Sequence, residues 1–216
     1  MLPLGDDNSA RRSIPGITFL LIALNLGFFI LELINSDKFI MDWAFVPARF
    51  MNNPPADFLT LFSSMFMHGG WLHLIGNMLY LWIFGDNVED RLGHGKFLVF
   101  YLACGLAATF AHMAFNVASI VPSLGASGAI AGILGAYIVF FPKSRVRVFM
   151  GIMVIPLPAI IVIGFWIILQ FFSGVGSILG ITRDDGVAYM AHIGGFIAGL
   201  IVSIFVRVAG YRRRYS

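Results

Sequence analysis

Five polar residues stand out inside long apolar runs of this 216-residue chain, where a polar side chain is costly and often functional. They are His73, Asn77, His112, Ser127 and His192. A serine hydroxyl becomes a nucleophile when a neighbouring base takes its proton, and histidine is the usual base. Ser127 and His192 are therefore candidates for nucleophilic catalysis, provided that the fold brings their helices together.

Each member of this pair also has a purely structural interpretation. Ser127 can serve as a helix N-cap or a small packing residue, and His192 can be a histidine that is satisfied by a neighbouring helix. The acidic residue within the predicted spans is Glu32, on the first span, so no carboxylate is expected to orient His192. We therefore expect a Ser–His dyad rather than a triad.

Acyl transfer also requires hydrogen-bond donors for the developing oxyanion. His73 and Asn77 are four residues apart, which places them on one face of a helix. Backbone N–H groups near Ser127, in the first turn of its helix, lack helical acceptors and can donate as well. The alternative for His73 and Asn77 is a hydrogen bond that joins two helices.

The composition places these residues in a membrane protein. Hydrophobic residues make up 59% of the chain and charged residues 12%, about half of the charged share of soluble domains. This composition excludes a soluble enzyme and a disordered chain. We predict an all-α bundle of six spans, with residues 35–70 forming a partly embedded first loop. The predicted spans are residues 17–34, 71–84, 97–117, 126–141, 156–172 and 188–208.

The distribution of basic residues predicts how this bundle is oriented. With both termini on one side, that side receives all of the 14 Lys and Arg residues except Lys38, Arg49 and Arg183. The positive-inside bias therefore predicts that both termini are cytoplasmic, with short tails at residues 1–13 and 209–216.

In this orientation three of the candidate residues lie at a similar depth in the membrane. His73, Ser127 and His192 each lie among the second to fifth residues of a different span, counted from its extracytoplasmic start. Small residues four apart allow two helix backbones to approach closely in a bilayer, so we expect the fourth and sixth spans to touch. The small-residue pairs are Gly128 with Gly132 on the fourth span and Gly195 with Gly199 on the sixth.

Three short motifs contain the candidate residues. They are G-A-S-G-A around Ser127, A-H-I-G-G around His192 and H-L-I-G-N from His73 to Asn77. In this order, they closely resemble the motifs of the rhomboid intramembrane serine proteases of the bacterial, six-helix type. Glu89 and Arg91 match the family's E-x-R element. The resemblance extends over nearly the whole chain, so residues 1–216 are predicted to form a single rhomboid-like domain.

The resemblance implies roles for individual residues. Ser127 corresponds to the nucleophile and His192 to the general base, while His73, Asn77 and the Ser127 amide correspond to the oxyanion hole. The fifth span and residues 174–187 resemble elements that move to admit a substrate. The supporting positions are Gly125 in the loop before the serine helix, His68 near the cavity mouth, and Gly128, Gly195, Gly199, Glu89 and Arg91.

The chain departs from the family pattern at two positions. Many relatives carry a Trp-Arg pair in the first loop, whereas Trp43 and Arg49 are apart here, which leaves the anchor of that loop open. Some relatives have an aromatic residue four positions after the serine, stacked on the histidine, whereas this chain has Ala131. We therefore expect the histidine to be held by packing on Gly128, Phe196 or their neighbours.

The predicted function is an intramembrane serine endopeptidase that cleaves transmembrane segments of other membrane proteins. Its predicted partners are such substrates and the lipid bilayer, without nucleic acid, and its predicted location is a bacterial or archaeal plasma membrane. No metal or organic cofactor is implied, and the single cysteine, Cys104, excludes an intramolecular disulfide. The alternatives are a small-solute transporter or channel, a haem protein with histidine ligands, and an inactive relative that only binds membrane proteins.

Overall fold

The structure, a computed structural model, describes residues 1–9, 11–181 and 187–215, and most of them are helical. The helices are α1 (Gly16–Ile34), α2 (Asp37–Trp43), α3 (Pro47–Asn52), α4 (Pro54–Asp57), α5 (Thr60–Ser63), α6 (Trp71–Leu92), α7 (His94–Phe115), α8 (Ser127–Phe140), α9 (Ala159–Ile178) and α10 (Tyr189–Tyr215). A 3₁₀ turn, Ser64–Phe66, follows α5. Among the described residues, α1, α7, α9 and the first 21 residues of α10 are long and apolar enough to cross a membrane.

A helix occupies each of the six predicted spans, but several ends differ. α6 continues to Leu92 instead of ending near residue 84, because polar side chains in its last turns bond to other segments; Asp86, for example, pairs with Arg11 at 2.6 Å. α8 has 14 residues and is short, as expected. That α6 and α8 also cross the membrane, which a six-span count requires, stays a prediction.

The last two helices are longer than the sequence suggested. α9 runs to Ile178, so residues 174–178 of the predicted mobile segment are helical, while residues 182–186 of that segment lie outside the described part of the chain. α10 extends to Tyr215 and therefore includes most of the predicted basic tail.

A three-stranded antiparallel sheet corrects the all-α prediction. Its strands are β1 (Leu2–Gly5), β2 (Arg145–Phe149) and β3 (Val154–Pro158), in the order β1-β2-β3. In β2, apolar and basic residues alternate, and Val146 and Val148 are fully buried on one face. β3 leads directly into α9, whose first amide, at Ala159, donates to the Ser144 carbonyl oxygen at 2.8 Å. The N-terminal segment is thus partly a strand rather than a free tail.

The two ends of the bundle differ in what they hold. At one end, Asp6 accepts hydrogen bonds from Tyr137 near the end of α8 (2.5 Å) and from Asn87 near the end of α6 (2.7 Å). At the same end, Arg207 of α10 donates to the Val139 carbonyl oxygen at 2.8 Å. We call this the sheet end, since it holds β1–β3. The opposite end, where α6, α8 and α10 begin, is called the site end.

Glycines allow α8 and α10 to pack with their backbones in contact, which confirms the contact predicted from the small-residue pairs. A Cβ atom at Gly195 would overlap the Gly128 carbonyl oxygen, and one at Gly199 would overlap the Gly132 carbonyl oxygen. The two helices run in the same direction, so their first residues meet at the site end. Residues 127 and 192 are brought together in this way.

The segment between α1 and α6 packs on the bundle instead of looping freely. Phe45 forms an antiparallel bridge with Ser123, just before α8, and is 1% exposed. Arg49 holds the segment together, because its guanidinium contacts the Asp57 carboxylate at 2.8 Å and donates to the Met41 and Ala44 carbonyl oxygens. Arg49 therefore stabilises this loop internally without an adjacent tryptophan, and the Phe45–Ser123 bridge joins the loop to the turn before α8. That the loop is partly embedded in the membrane stays a prediction.

Gly199→Ala tests the backbone contact between α8 and α10. The added methyl group must push the helices apart, so we expect the free energy of unfolding to fall by about 1–3 kcal/mol. Gly164→Ala on α9 is the matched control, since nothing lies within 4 Å of its Cβ position. Thermal unfolding in detergent measures both, and equal melting temperatures for the two variants would contradict the predicted contact.

Asp6 makes the stability of the sheet end depend on pH. The pKa of Asp6 is raised to about 6, chiefly because the carboxyl group is buried; the hydrogen bond from Tyr137 lowers the pKa and the nearby Asp86 charge raises it. The folded state therefore binds this proton more tightly than the unfolded state, and stability is lost as the pH rises from 4 to 7. We expect the loss to be about 1 kcal/mol after allowing for partial exposure.

The measurement compares the wild type with Asp6→Asn, which keeps a side chain of the same size but cannot ionise. Unfolding of both proteins is followed at pH 4 and pH 7. The stability of the wild type relative to the variant is expected to fall at the higher pH. If the difference between the two proteins is the same at both pH values, Asp6 does not titrate as described.

Candidate active site

Ser127 and His192 are in direct hydrogen-bond contact at the site end. The Ser127 Oγ atom lies 2.8 Å from His192 Nε2. His192 is the fourth residue of α10 and is 9% exposed, whereas Ser127 begins α8 and is half-buried beside a small cavity. The structure thus brings together the two residues that were predicted to form the dyad, in a geometry suited to proton transfer.

The turn before α8 places Ser127 at the first helical position. Gly125 has φ +127°, a conformation that L side chains rarely adopt, and its N–H donates to the Ser64 carbonyl oxygen at 2.8 Å. Because Ser127 lies in the first turn, its backbone N–H has no helical acceptor. Gly125 thereby forms the turn from which α8 starts.

His73 borders the same space as Ser127. A Cβ atom at Gly125 would lie 2.8 Å from His73 Nε2 and 3.6 Å from Ser127 Oγ, so the missing side chain of the glycine leaves room between them. His73 Nδ1 accepts a weak hydrogen bond from the Gly69 N–H at 3.4 Å. This leaves the Nε2–H group free to donate into the space beside Gly125.

Asn77 lies one helical turn below His73 on α6. It is 7% exposed, and within the described residues its Nδ2 has no hydrogen-bond partner. A buried amide without an acceptor is unfavourable in a resting protein, and an oxygen of a bound substrate would remove that cost. The position and the free donor suit the predicted oxyanion role.

His68 is held against the site by Glu32. Its backbone N–H donates to both carboxylate oxygens of Glu32, at 3.0 and 3.2 Å, and the His68 ring lies 5.1 Å from the His73 ring. His68 is 1% exposed, and neither of its ring nitrogens has a partner among the described residues. Sequence reasoning noticed Glu32 as an acid within a span, but its fixing of the His68 backbone is a finding of the structure.

Glu89 and Arg91 lie at the sheet end rather than near Ser127. They are sixteen and more residues beyond His73 on α6, a separation of about 24 Å. Glu89 is fully buried and accepts the backbone N–H groups of Ile17 and Thr18, at 2.8 and 2.7 Å. Glu89 thus joins the start of α1 to the end of α6, and both residues belong to the scaffold.

Two residues that contact His192 were not predicted. Gln170 Oε1 lies 2.7 Å from His192 Nδ1, and the Trp166 ring lies 5.8 Å from the imidazole, tilted by 38°. Both residues belong to α9 and lie one turn apart. They hold the His192 ring in place, which was expected of packing on Gly128, Phe196 or their neighbours. The signal in the sequence is Gln170 itself, an amide in an otherwise apolar span.

The fold and this site define a class: a helical membrane bundle with a serine–histidine pair at one end. The model of the Rhomboid domain family matches residues 55–209, which is more than half of the chain and includes every motif described above. The chain belongs to the rhomboid family, and it is an integral membrane protein.

Proteins of known name extend this comparison. The chain is 32% identical over 194 residues to Rhomboid protease GluP of Bacillus subtilis, covering 88% of this chain and 34% of that protein. It is 30% identical over 162 residues to Rhomboid protein 1, mitochondrial, of Saccharomyces cerevisiae, covering 72% and 44%. It is 30% identical over 155 residues to the human Presenilin-associated rhomboid-like protein, mitochondrial, covering 70% and 39%. The chain therefore spans less than half the length of these relatives.

Gly125→Ala tests whether the space between His73 and Ser127 is needed. The methyl group would displace the His73 ring and strain the turn, so we expect Ser127 to react at least tenfold more slowly with a fluorophosphonate probe. Gly93→Ala is the matched control, because Gly93 has φ +81° but nothing lies within 4 Å of its Cβ position. The labelling rate is measured on folded, purified protein, and equal losses in both variants would show that strain alone matters.

Proposed function

We propose that this protein is an intramembrane serine endopeptidase that cleaves transmembrane segments of other membrane proteins. The observation that carries the proposal is the 2.8 Å contact between Ser127 Oγ and His192 Nε2, at a site bordered by His73 and Asn77. Membership of the rhomboid family supports it, since one relative is named as a protease.

The proposed reaction proceeds through an acyl-enzyme. Ser127 Oγ attacks the carbonyl carbon of the scissile peptide bond while its proton passes to His192 Nε2. The resulting imidazolium gives that proton to the leaving amine as the C–N bond breaks, which leaves an ester on Ser127. Water then attacks the ester, again with His192 as the base, and restores the serine hydroxyl.

Negative charge on the substrate oxygen requires donors during both attacks. The proposed donors are the His73 Nε2–H, the Asn77 Nδ2–H and the Ser127 backbone N–H. Each belongs to the first two turns of a helix at the site end, and the Nδ2 atom of Asn77 has no competing partner within the described residues. The start of α8 adds the positive end of its helix dipole.

The proposed substrate is a transmembrane helix that unwinds locally, because a helical peptide bond is shielded from attack. Water must reach Ser127, so the site end is proposed to face the extracytoplasmic side. The positive-inside bias predicts that both termini are cytoplasmic, and the location of β1 and Arg207 of α10 at the sheet end supports this prediction. Two of the relatives are named as mitochondrial, and a bacterial or archaeal plasma membrane stays our prediction for this chain.

Separate Ser127→Ala and His192→Ala variants test the proposal. Each is expected to lower cleavage of a model transmembrane substrate by at least 1,000-fold, because each removes a group that acts in every proton transfer. Labelling by a fluorophosphonate probe should be lost in Ser127→Ala and strongly slowed in His192→Ala.

The control for folding is Ser203→Ala, which removes a buried hydroxyl of α10 more than two turns beyond His192. This variant should cleave and label like the wild type. Cleavage retained by either active-site variant would contradict the proposed Ser127–His192 dyad. A wild type that is folded but neither cleaves nor labels would favour an inactive relative that only binds membrane proteins.

A further inference from the structure

α9 is largely apolar, and just past its middle one long polar side chain faces His192. Gln170 is the single amide in the α9 sequence, which contains no histidine and no charged residue. An amide in a membrane-spanning helix is unfavourable unless it has a partner. Gln170 is half-buried, and its Oε1 atom lies 2.7 Å from His192 Nδ1.

This contact is made at the ring nitrogen opposite the one that contacts the serine. His192 Nε2 lies 2.8 Å from Ser127 Oγ, so Gln170, His192 and Ser127 form a continuous chain of hydrogen bonds across three helices. A neutral imidazole carries its proton on one nitrogen and a lone pair on the other. Whichever nitrogen bonds to a carbonyl oxygen must carry the proton.

The same face of α9 also limits rotation of the ring. Trp166 precedes Gln170 by one helical turn, and its ring centroid is 5.8 Å from the imidazole centroid. Ala131 of α8, where some relatives have a stacking aromatic residue, is fully buried and too small for that role. The orientation of His192 therefore depends on α9 rather than on α8.

We propose that Gln170 is a positioning residue for His192, an inference that rests on the function proposed above. Its side-chain carbonyl accepts the Nδ1–H of His192, which leaves the Nε2 lone pair directed at the Ser127 hydroxyl. During attack the serine proton moves to Nε2, and the Nδ1–H stays bonded to Gln170. The amide gains and loses no proton in the cycle and never touches the substrate.

Two substitutions separate the acceptor oxygen from the bulk of the side chain. Gln170→Met keeps a similar length but removes the acceptor, so kcat is expected to fall by about 10–100-fold with little change in KM. Gln170→Glu keeps an oxygen at the same distance along the chain, so kcat should stay within a few-fold of the wild type. Ile168→Ala, on the same helix and 53% exposed, is the control and should leave kcat unchanged.

Fluorophosphonate labelling gives a second readout that needs no transmembrane substrate. The labelling rate should fall in Gln170→Met by the same factor as kcat and should recover in Gln170→Glu. If Gln170→Met labels and cleaves like the wild type while Ser127→Ala does neither, Gln170 has no positioning role although the proposed function stands. If the wild type itself is not labelled, the proposed function is contradicted, and the positioning role that rests on it falls with it.

The tautomer of His192 can be measured in the wild type, so the test does not depend on a variant that folds. Nitrogen-15 NMR of labelled histidine, assigned with His192→Ala, distinguishes a proton on Nδ1 from one on Nε2. We expect the proton on Nδ1. A resting protein with the proton on Nε2 would mean that the amide group of Gln170 donates instead of accepting, and it would overturn the proposal.

Discussion

The direct packing of the α8 backbone on the α10 backbone is the constraint on which the site depends. Gly195 and Gly199 leave no side chain between the two helices, so the carbonyl oxygens of Gly128 and Gly132 lie where β-carbons would otherwise be. The serine and the histidine begin these helices, and their side chains are short. Helices held apart at an ordinary separation would leave those side chains out of contact. The separation of the helices therefore sets the distance for proton transfer.

Buried carboxylates organise the rest of the scaffold by accepting backbone N–H groups. Glu32 holds the N–H of His68 at the site end, and Glu89 holds those of Ile17 and Thr18 at the sheet end. In both cases the partners are amides that lack an acceptor of their own, one in a loop and two in the first turn of α1. A carboxylate in an apolar surrounding is stabilised by such donors, and in return it fixes the chain segment that supplies them. Both carboxylates thus have structural partners, and among the described residues neither is hydrogen-bonded to Ser127 or His192.

Much of the site could be predicted from the sequence because its residues begin helices and carry recognisable chemistry. The glycine pairs predicted the contact of α8 with α10, and the starting positions of three helices placed His73, Ser127 and His192 at one end. The buried role of Glu89 could not be predicted, because its partners are more than 70 residues away in the chain. The β2–β3 hairpin was missed because strands of five residues give a weak periodic signal beside 20-residue apolar runs.

Gln170 was missed for a different physical reason. In a soluble helix the apolar stripe shows which face points inward, but in a bilayer the lipid-facing side is as apolar as the core-facing side. The rotation of α9 about its own axis was therefore undetermined by its sequence. The position of the amide marks the inward face, although that becomes clear only when His192 is seen beside it.

The attachment of α9 has a mechanical consequence. Its first turn is fixed by the strand that precedes it and by the amides of Ala159 and Ile160, which donate to carbonyl oxygens after α8. Its other half carries Phe172 with 69% of its surface exposed. The same half packs on α10, since a Cβ atom at Gly174 would overlap the Met190 side chain. Gln170 lies about 16 Å along α9 from its first residue. A tilt of α9 by about 10° about its first turn would move the Gln170 amide by about 3 Å. This movement would break the hydrogen bond between Gln170 and His192. The angle between α9 and the rest of the bundle therefore affects how the imidazole ring of His192 is aligned.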